Sequence, residues 1–372
     1  MERIRIDCRV NKDKEILLAL LQAGMWERCP DDISLFRTSD ASWSNVFRMA
    51  RCQTVTGIVY HGLSFLPEEL LPPENLLLQW VTAVDGIERK NRKMNHVLAE
   101  LYAFFRANGL EPVLQKGQGV AALYETPMLR ECGDIDFYFP DKNDRKRAIK
   151  LVKEHHCVVK SKADDSVCYK WKGVHVEHHG QLLDLSSPCT QKYLKKLERE
   201  AGFDKMSLSL DGSDIEVSIP SPMLNLLLLN THILKHAFGL GIGLRQLCDM
   251  ARACYKLEGK FDVDEMKKIC NKVGLGKWSM LLNAALVSHV GLSPRDLPYP
   301  DIAMSTRPLL DIIWNGGNFG QYASDRAGQS QTIFSRKIYT SQSFLRNVKF
   351  SCRYAPAEAF WTFMTLLKGQ FR

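Results

Sequence analysis

The spacing of the apolar residues changes twice along this chain of 372 residues. Residues 1–108 carry apolar side chains at helical intervals, and residues 75–108 place a stripe of them along one side of a helix. Between residues 109 and 220 the spacing is instead that of short strands. Helical spacing returns from Pro222 onward, and we assign residues 221–372 to a C-terminal helical region. The sequence therefore predicts an α+β fold, with a sheet-forming part between N-terminal and C-terminal helical regions.

The same patterns predict the separate elements. Helices are expected over residues 15–23, 43–60, 75–108, 120–124, 141–155, 224–238, 245–257, 263–273 and 277–289. Strands are expected over residues 112–114, 135–139, 167–171, 174–178, 182–185 and 215–219. The turn signal Lys172-Gly173 joins 167–171 and 174–178 in a hairpin. We assign no element or role within residues 321–372.

Length and composition exclude several classes of protein. At roughly 150 residues per domain, the chain is long enough for two or three packed units. With 45% hydrophobic and 25% charged residues, it has the composition of a globular protein rather than a disordered or fibrous one. No apolar run approaches the ~18 residues of a membrane span, and the charged start of the chain lacks the apolar core of a secretory signal. We therefore expect a cytoplasmic protein without a membrane partner.

The cysteines argue against a zinc or redox site, and the net charge indicates what kind of ligand the protein binds. Eleven cysteines are scattered from Cys8 to Cys352, and no two have the C-x-x-C spacing of a zinc or redox site. In a chain without a secretory signal we expect them to be free thiols. The formal net charge of +8 suits an anionic ligand such as a nucleotide. It is mild for a nucleic-acid-binding protein, which concentrates its charge in a stripe.

Two aspartates two residues apart are the first candidates for chemistry. Asp134 and Asp136 lie in the strand pattern around residues 135–139, where side chains at i and i+2 point to one face. Unpaired carboxylates at that spacing repel each other, whereas Mg²⁺, which prefers hard oxygen ligands, stabilises such a pair. Glu177, on another predicted strand, would complete a two-metal site for phosphoryl transfer. The spacing alone also permits a solvated or Arg-paired couple of aspartates at a strand end.

A turn suited to anion binding precedes these aspartates. Lys116-Gly117 follows a predicted strand and precedes a helix, so backbone N–H groups and the helix N-terminus are expected to face one anion. Lys116 would add its charge against the outer phosphates of a nucleotide. Arg130, four residues before Asp134, would serve the same end, with a surface salt bridge as the alternative.

The chain carries two blocks of short motifs. The first comprises residues 114–117, 121–124, Arg130, 133–137 and Glu177-His178, and the second comprises His232, Lys235, His236 and residues 241–246. In this order they resemble a nucleotidyltransferase family of the DNA polymerase β superfamily. That family has a Lys-Gly turn, a short helix, an arginine, a Gly-Asp-Ile-Asp motif and a strand that ends in an acid followed by histidine. A helix around Trp43 and the element 317–320 fit more loosely, and the resemblance covers residues 15–320.

The resemblance implies a fold and a reaction. Residues 109–220 would form the small mixed β-sheet of a nucleotidyltransferase core, between helical regions 1–108 and 221–372. The reaction would move a nucleoside monophosphate from an NTP to the hydroxyl of a small molecule, protein or RNA, and would release pyrophosphate. Mg²⁺ or Mn²⁺ would be the cofactor. The catalytic and metal-binding residues would be Asp134, Asp136 and Glu177.

The resemblance also assigns the nucleotide-binding residues, which would be Lys116, Gly117, Gln118 and Arg130. Members of the wider superfamily usually have Gly-Ser in the first turn, where the serine contacts the triphosphate. This chain has Gln118 in place of that serine, so the contact falls to Lys116, Gln118 or the backbone. Glu177 stands where an aspartate is more usual.

Histidines and cations outside the acidic motifs have two readings each. The five histidines between residues 155 and 179 lack the paired spacing of a structural zinc site, so no zinc is predicted. His178 either orients the acceptor or the metal shell, or is a hydrogen-bonded group beneath the sheet. The candidates on the predicted helices are His232, Lys235, His236 and Arg245. They would either bind phosphate or acceptor in the cleft, or form a polar contact between helices in which Asp249 pairs with Arg245. The cleft candidates are His178, His232, Lys235, His236 and Arg245.

Two functions of other classes stay open. One is a non-catalytic member of the same fold that binds a nucleotide or a protein partner, which the residue Gln118 favours. The other is an RNA-binding protein that uses the basic helix 142–153, for which binding would depend steeply on salt. The sequence identifies neither the NTP, nor the acceptor, nor the oligomeric state.

Overall fold

A computed structural model gives the structure of residues 2–37, 42–162, 165–210, 213–239, 241–297, 302–317 and 333–370. Within these ranges the chain forms fourteen α-helices and one seven-stranded sheet. The helices are α1 (Glu2–Trp26), α2 (Trp43–Cys52), α3 (Thr56–Leu63), α4 (Glu74–Ala107), α5 (Gly117–Ala121), α6 (Lys142–Glu154), α7 (Pro188–Ala201), α8 (Pro222–Phe238), α9 (Leu244–Lys256), α10 (Val263–Lys272), α11 (Gly276–Val290), α12 (Arg307–Gly316), α13 (Ile333–Tyr354) and α14 (Pro356–Gln370). The strands are β1 (Val113–Gln115), β2 (Ile135–Tyr138), β3 (Lys160–Ser161), β4 (Val167–Trp171), β5 (Val174–His179), β6 (Phe203–Leu210) and β7 (Ser213–Pro220). None of the helices in these ranges is both long and apolar enough to cross a membrane.

The sheet is mixed, with the strand order β3-β4-β5-β2-β1-β7-β6. β2 runs parallel to β5 and β1 runs parallel to β7, while the other neighbouring strands are antiparallel. The predicted α+β class is confirmed, with helices before and after the sheet in sequence. The register places Asp136 of β2 beside Gln115 of β1 on one side and beside Glu177 of β5 on the other. Carboxylates from two strands therefore lie next to each other in the middle of the sheet.

Each face of the sheet is covered by a different apolar cluster. On one face, the stripe of α4 that includes Leu98, Leu101 and Phe105 packs with Phe137 of β2 and Val176 of β5. Because successive strand residues point to opposite faces, Asp136 and Glu177 lie on the other face. A second, larger cluster joins the helices α1, α3, α8, α9 and α11. The apolar residues whose spacing predicted α4 are thus the residues that pack this helix against the sheet.

Several predicted elements differ in the structure, and the first helix, expected over residues 15–23, spans Glu2–Trp26. Residues 43–60 form two helices rather than one, because the buried side chain of Gln53 accepts a hydrogen bond from the backbone of Leu244 (3.0 Å) and donates one to the carbonyl of Ile313 (3.0 Å). Thr54, at φ 52°, then turns the chain. Residues 182–185 are not a strand, and the helix expected over 120–124 begins three residues earlier as α5.

Several elements were not predicted from the sequence. These are β3, α7, β6, α12, α13 and α14. The strand β6 pairs antiparallel with β7, whose predicted range was shorter at both ends. Residues 318–320 of the element 317–320 lie outside the described residues.

Candidate active site

Asp134 and Asp136 line one cavity of about 790 Å³ beside the middle of the sheet. Ile135 and Phe137 point into the apolar cluster on the α4 side, so the alternation along β2 directs Asp136 to the opposite face. Asp134 comes directly before the strand. Glu177, opposite Asp136 on β5, lines the same cavity. The three carboxylates that the sequence singled out are therefore brought together.

Asp136 is buried and is held in its charged form by two cations or potential cations. His179 Nε2 lies 2.7 Å from its Oδ1, and Lys116 Nζ lies 3.7 Å from its Oδ2. Burial opposes the charged form, but Lys116 and His179 together hold the pKa of Asp136 below its usual range. At neutral pH this carboxylate is therefore ionised.

Asp134 has the opposite electrostatic environment. The nearby charge of Asp136, reinforced by burial, raises the pKa of Asp134 to about 6, although Lys116 opposes the shift. A raised pKa is what repulsion between two close carboxylates produces. The pair therefore carries more negative charge than its surroundings balance.

Glu177 and His179 extend the carboxylate cluster along β5. Lys162 Nζ donates to Glu177 Oε2, and His179 Nδ1 lies 3.8 Å from Glu177 Oε1. One ligand atom each from Asp136, Glu177 and His179 lies within 4.8 Å of the other two. His179 thus has one ring nitrogen near each of two carboxylates and is a candidate metal ligand that the sequence analysis did not select.

The turn between β1 and α5 brings Lys116 to this cluster. Lys116 has φ 39° and Gly117 has φ 45°, both in the left-handed region. A Cβ atom on Gly117 would lie 3.2 Å from the carbonyl oxygen of Asp134, so glycine lets the turn pass close to the start of β2. Gln118 is buried outside the residues that line the cavity, and neither atom of its amide group has a hydrogen-bond partner in the described part of the chain.

Arg130 lines the cavity, but its guanidinium is paired with Asp249 of α9. Its Nε donates to Asp249 Oδ1 (2.9 Å) and its Nη2 donates to Asp249 Oδ2 (2.6 Å), and both side chains are buried. Tyr124 Oη also donates to Asp249 Oδ1 (2.8 Å). Arg245 instead donates from Nη1 to the carbonyl oxygen of Glu131 (2.7 Å). Asp249 therefore pairs with Arg130 and not with Arg245, its partner in the polar-contact alternative, and the salt bridge considered for Arg130 is buried rather than on the surface.

The helix α8 contributes His232, Lys235 and His236 to the cavity lining. The two imidazole rings are 4.5 Å apart in an edge-to-face arrangement. Burial, with a contribution from the charges of Lys116 and Lys235, lowers the pKa of His236 to about 3 and lowers that of His232 well below its usual value. Both rings are therefore neutral at neutral pH and present hydrogen-bonding rather than charged groups.

His178 lies on the other face of β5 and outside the cavity lining. Its Nε2 is 2.9 Å from Tyr169 Oη, and its ring packs against Phe105, Phe137 and Phe139. Burial lowers its pKa to about 3. The structure thus places His178 beneath the sheet, which was the alternative reading, and the alternation along β5 gives the cavity to His179 instead.

Four further charged residues of the cavity were not selected from the sequence: Lys90, Glu131, Lys162 and Asp184. Lys162 reaches Glu177 from the end of β3, and Asp184 lies 3.2 Å from Lys235 Nζ in the irregular segment after β5. Neither Lys162 nor Asp184 lies in a motif, and each reaches the cavity only through the way neighbouring segments pack. Residues 182–185 were predicted to be a strand, and Asp184 was not considered as a residue of an irregular segment that lines the cavity.

The family model described as uncharacterised nucleotidyltransferase matches residues 39–290, about two-thirds of the chain, and the chain belongs to that family. A crystal structure of an antigenic nucleotidyltransferase-like protein from Paracoccidioides brasiliensis matches 53% of this chain and 93% of its own length, with 15% identity and a TM-score of 0.33. That likeness is too distant to add to the assignment. No curated protein sequence matches the chain.

Proposed function

We propose that this nucleotidyltransferase moves a nucleoside monophosphate from an NTP to an acceptor hydroxyl and releases pyrophosphate, with Mg²⁺ or Mn²⁺ as its cofactor. Asp134, Asp136 and Glu177 would hold the ion, and Lys116 with Gly117 would bind the outer phosphates. The observation that carries the proposal is the position of Asp136 between Lys116 and Glu177. The cavity of about 790 Å³ is of the size that small-molecule ligands occupy.

The chemistry of the cavity suits a divalent cation. Carboxylate oxygens are the ligands that Mg²⁺ and Mn²⁺ prefer, and an imidazole widens the choice to other transition metals. The pKa of Asp134, raised to about 6, reflects negative charge that the neighbouring lysines do not balance. Ligand atoms of Asp136, Glu177 and His179 are close enough to share one ion. When bound, the ion would neutralise charge on the phosphates of the nucleotide.

In the proposed reaction the acceptor oxygen attacks the α-phosphorus, and Glu177 either helps to hold the ion or accepts the proton that this oxygen loses. The bond from the α-phosphorus to the oxygen that bridges to the β-phosphate breaks, and pyrophosphate leaves with that oxygen. Lys116 offsets the charge on the departing group. The neutral rings of His232 and His236, with the amine of Lys235, would contact nucleotide or acceptor. Catalysis of this kind depends mostly on positioning and charge stabilisation.

Calorimetric titration of each of the four NTPs with Mg²⁺ tests the proposal. Asp134→Asn and Asp136→Asn keep the shape of the side chain and remove the charge that opposes the ion. Each is expected to weaken metal-dependent NTP binding by more than about tenfold, the scale on which lost metal-site interactions act. Asp144→Asn, on the exposed surface of α6 and outside the cavity lining, is the matched control and should bind as the wild type does. Unchanged affinity in both cavity variants would refute the proposed metal site.

One observation favours a non-catalytic nucleotide-binding protein as the second candidate. Within the described chain, Asp136 already contacts Lys116 and His179, and Glu177 already contacts Lys162, so the cluster is partly charge-balanced without an ion. Such a protein would bind NTP equally well with Mg²⁺ and with EDTA. It would release no pyrophosphate with any NTP, whereas the proposed enzyme would release it once a hydroxyl acceptor is supplied.

The RNA-binding alternative has less support. Three cations of α6 are engaged in ion pairs, Arg145 with Asp165, Arg147 with Asp144 and Lys150 with Glu154. These pairs interrupt the basic stripe that phosphate binding would need. A steep fall of RNA affinity with rising salt would nevertheless identify it.

A further inference from the structure

A second cavity opens directly beside the candidate active site. It has a volume of about 680 Å³ and lies between α2 and α4. Four residues line both cavities, so the two cavities adjoin: Thr54, Ile87, Lys90 and Glu131. We call this second cavity, lined by residues of α2, α4 and the segments 54–56 and 131, the α2–α4 groove. Any molecule in it would have one end at the edge of the carboxylate cavity.

The lining of the α2–α4 groove combines an apolar wall with positive charge. Phe47, Leu78 and Ile87 supply the apolar surface, and Leu78 is 60% exposed. Arg51 and Lys90 supply the charge, and the guanidinium carbon of Arg51 lies 5.9 Å from the centre of the Phe47 ring. Among the described residues, no carboxylate lies within ion-pairing distance of either cation, although the surface of this chain holds many such pairs.

The acid that lines the groove does not balance these cations. Glu131 Oε1 accepts a hydrogen bond from the backbone N–H of Thr56 (2.9 Å), which fixes the carboxylate at the start of α3. Against the single carboxylate of Glu131, the two cations Arg51 and Lys90 leave the groove lining with a net positive charge beside an apolar surface. That combination is complementary to a ligand with an apolar body and an anionic group.

We propose that the α2–α4 groove is the acceptor subsite, and that the acceptor is a small hydroxyl-bearing molecule with an apolar body and a carboxylate, phosphate or other anionic group. This inference rests on the proposed nucleotidyl transfer and names the acceptor class for it. The apolar body packs on Phe47 and Leu78, and the anionic group pairs with Arg51 and Lys90. The acceptor hydroxyl then lies at the boundary that the two cavities share, on the side of Asp134 and Asp136. NTP and acceptor bind side by side and do not compete.

Gly86 offers a way to close the groove without moving its walls. It lines the groove on α4, and a Cβ atom built on it meets no other atom within 4 Å. Alanine at this position adds one methyl group to open space, whereas leucine extends a large side chain into the groove. Both are better helix formers than glycine. Gly86→Ala and Gly86→Leu therefore form a matched pair that separates filling of the groove from damage to the helix.

Binding of anilinonaphthalene sulfonate, followed by its fluorescence, tests the inference on the full chain. This probe has an apolar aromatic body and one negative charge, and its uncharged parent, N-phenylnaphthylamine, is the control ligand. We expect the wild type and Gly86→Ala to bind the charged probe alike, and Gly86→Leu to lose about tenfold or more in affinity. The double variant Arg51→Met/Lys90→Met removes two exposed ionic contacts, each worth up to a factor of about five, and should lose about tenfold. Its affinity for N-phenylnaphthylamine should not change.

A second apolar surface supplies the internal control for this probe. Phe360 and Phe363 of α14 are 56% and 41% exposed. If the probe binds there, Phe360→Ser weakens binding while the groove variants do not, and the inference is overturned. Absence of probe binding to the wild type overturns it as well.

Competition with nucleotide separates this inference from the proposed function. A saturating concentration of the Mg·NTP that binds in calorimetry should leave probe binding to the wild type unchanged, and Gly86→Leu should bind that Mg·NTP as the wild type does. Displacement of the probe by this Mg·NTP would make the groove part of the nucleotide site and would overturn the acceptor assignment. Failure of the wild type to bind any Mg·NTP would refute the nucleotidyl transfer itself, and that failure is visible in calorimetry without the probe.

Discussion

Lys116 both places a positive charge beside the carboxylate cluster and is the proposed ligand of the outer phosphates. Its ammonium lies 3.7 Å from Asp136 Oδ2, and its backbone has a left-handed φ of 39° that is uncommon for a residue with a side chain. Backbone conformations of this kind cost of order 1–3 kcal/mol and are concentrated at functional sites. The turn therefore places a positive charge at the carboxylate cluster at a cost in conformational energy.

Lys116→Met is expected to separate triphosphate from monophosphate binding. Methionine keeps the apolar stem and removes the ammonium. A charge-assisted contact contributes about 1.5–3 kcal/mol, so triphosphate affinity should fall roughly tenfold to hundredfold while monophosphate affinity barely changes. Calorimetry at pH 8, where Asp136 stays ionised without its lysine, measures both. An equal loss for both nucleotides would indicate a damaged fold, and no loss would remove Lys116 from the site.

Asp134→Asn should stabilise the metal-free protein at high pH. Because the folded pKa of about 6 lies above the ordinary 3.8, the stability falls as the pH rises from about 4 to 6, and the full penalty for ionising Asp134 is present above pH 6. This penalty disappears below about pH 4, where the group is protonated in both states. Urea denaturation in EDTA should show the variant more stable than the wild type by about 1–3 kcal/mol at pH 8, and nearly equal to it at pH 4. A variant less stable than the wild type at pH 8 would contradict this account.

At the scale of elements, α1 and α3 approach each other through glycines. A Cβ atom on Gly62 would lie 2.1 Å from the carbonyl oxygen of Leu20, and one on Gly24 would lie 2.0 Å from that of Ile58. Real atoms cannot approach so closely, so the two helix backbones pack against each other only because both positions lack side chains. This contact joins the N-terminal helices in one apolar cluster with α8 and α9.

Gly62→Ala and Gly86→Ala should therefore change stability in opposite directions. At Gly62 the added methyl group forces α1 and α3 apart, and overpacking of this kind costs about 1–3 kcal/mol. At Gly86 the methyl group meets open space, and the better helix propensity of alanine adds about 0.5–1 kcal/mol. Urea midpoints of the two variants against the wild type measure both effects. A shift of the same sign in both would show that helix propensity, rather than packing, decides at these positions.

At the scale of the whole molecule, the buried pair of Arg130 and Asp249 joins two parts of the chain. Arg130 precedes β2, in the proposed core 109–220, and Asp249 lies on α9, in the proposed C-terminal region 221–372. Both side chains are nearly inaccessible, with 5% and 8% of their surface exposed. At this degree of burial, the two parallel hydrogen bonds take the place of the water that would otherwise solvate the two charged groups.

Arg130→Met should destabilise the protein by about 3–5 kcal/mol, because it leaves the buried charge of Asp249 without a cationic partner. The double variant Arg130→Met/Asp249→Asn removes that charge and should regain part of the loss. Chemical denaturation of the wild type, both single variants and the double variant measures the coupling between them. Unchanged stability of Arg130→Met, together with weaker Mg·NTP binding, would instead make Arg130 a phosphate ligand.

Local patterns in the sequence predicted many of the helices and strands and the three carboxylates of the candidate site. The alternation along β2 directs Asp136 away from the α4 cluster, and the same period along β5 gives one face to Glu177 and His179. The Lys116-Gly117 turn was recognisable because a strand followed by a small-residue helix leaves few other arrangements. Each of these features depends on backbone geometry within a few residues, and that geometry is written in the local sequence.

Only the tertiary structure decided which side chains became partners. Asp249 pairs with Arg130, distant in sequence, rather than with Arg245 one turn away on α9, and Gln53 interrupts an otherwise helical segment to reach Leu244. Lys162 likewise lines the cavity and contacts Glu177, although it belongs to no sequence motif. The physical reason is the same in each case: a buried polar group must find a partner where packing places one. That placement depends on the whole fold and not on spacing along the chain.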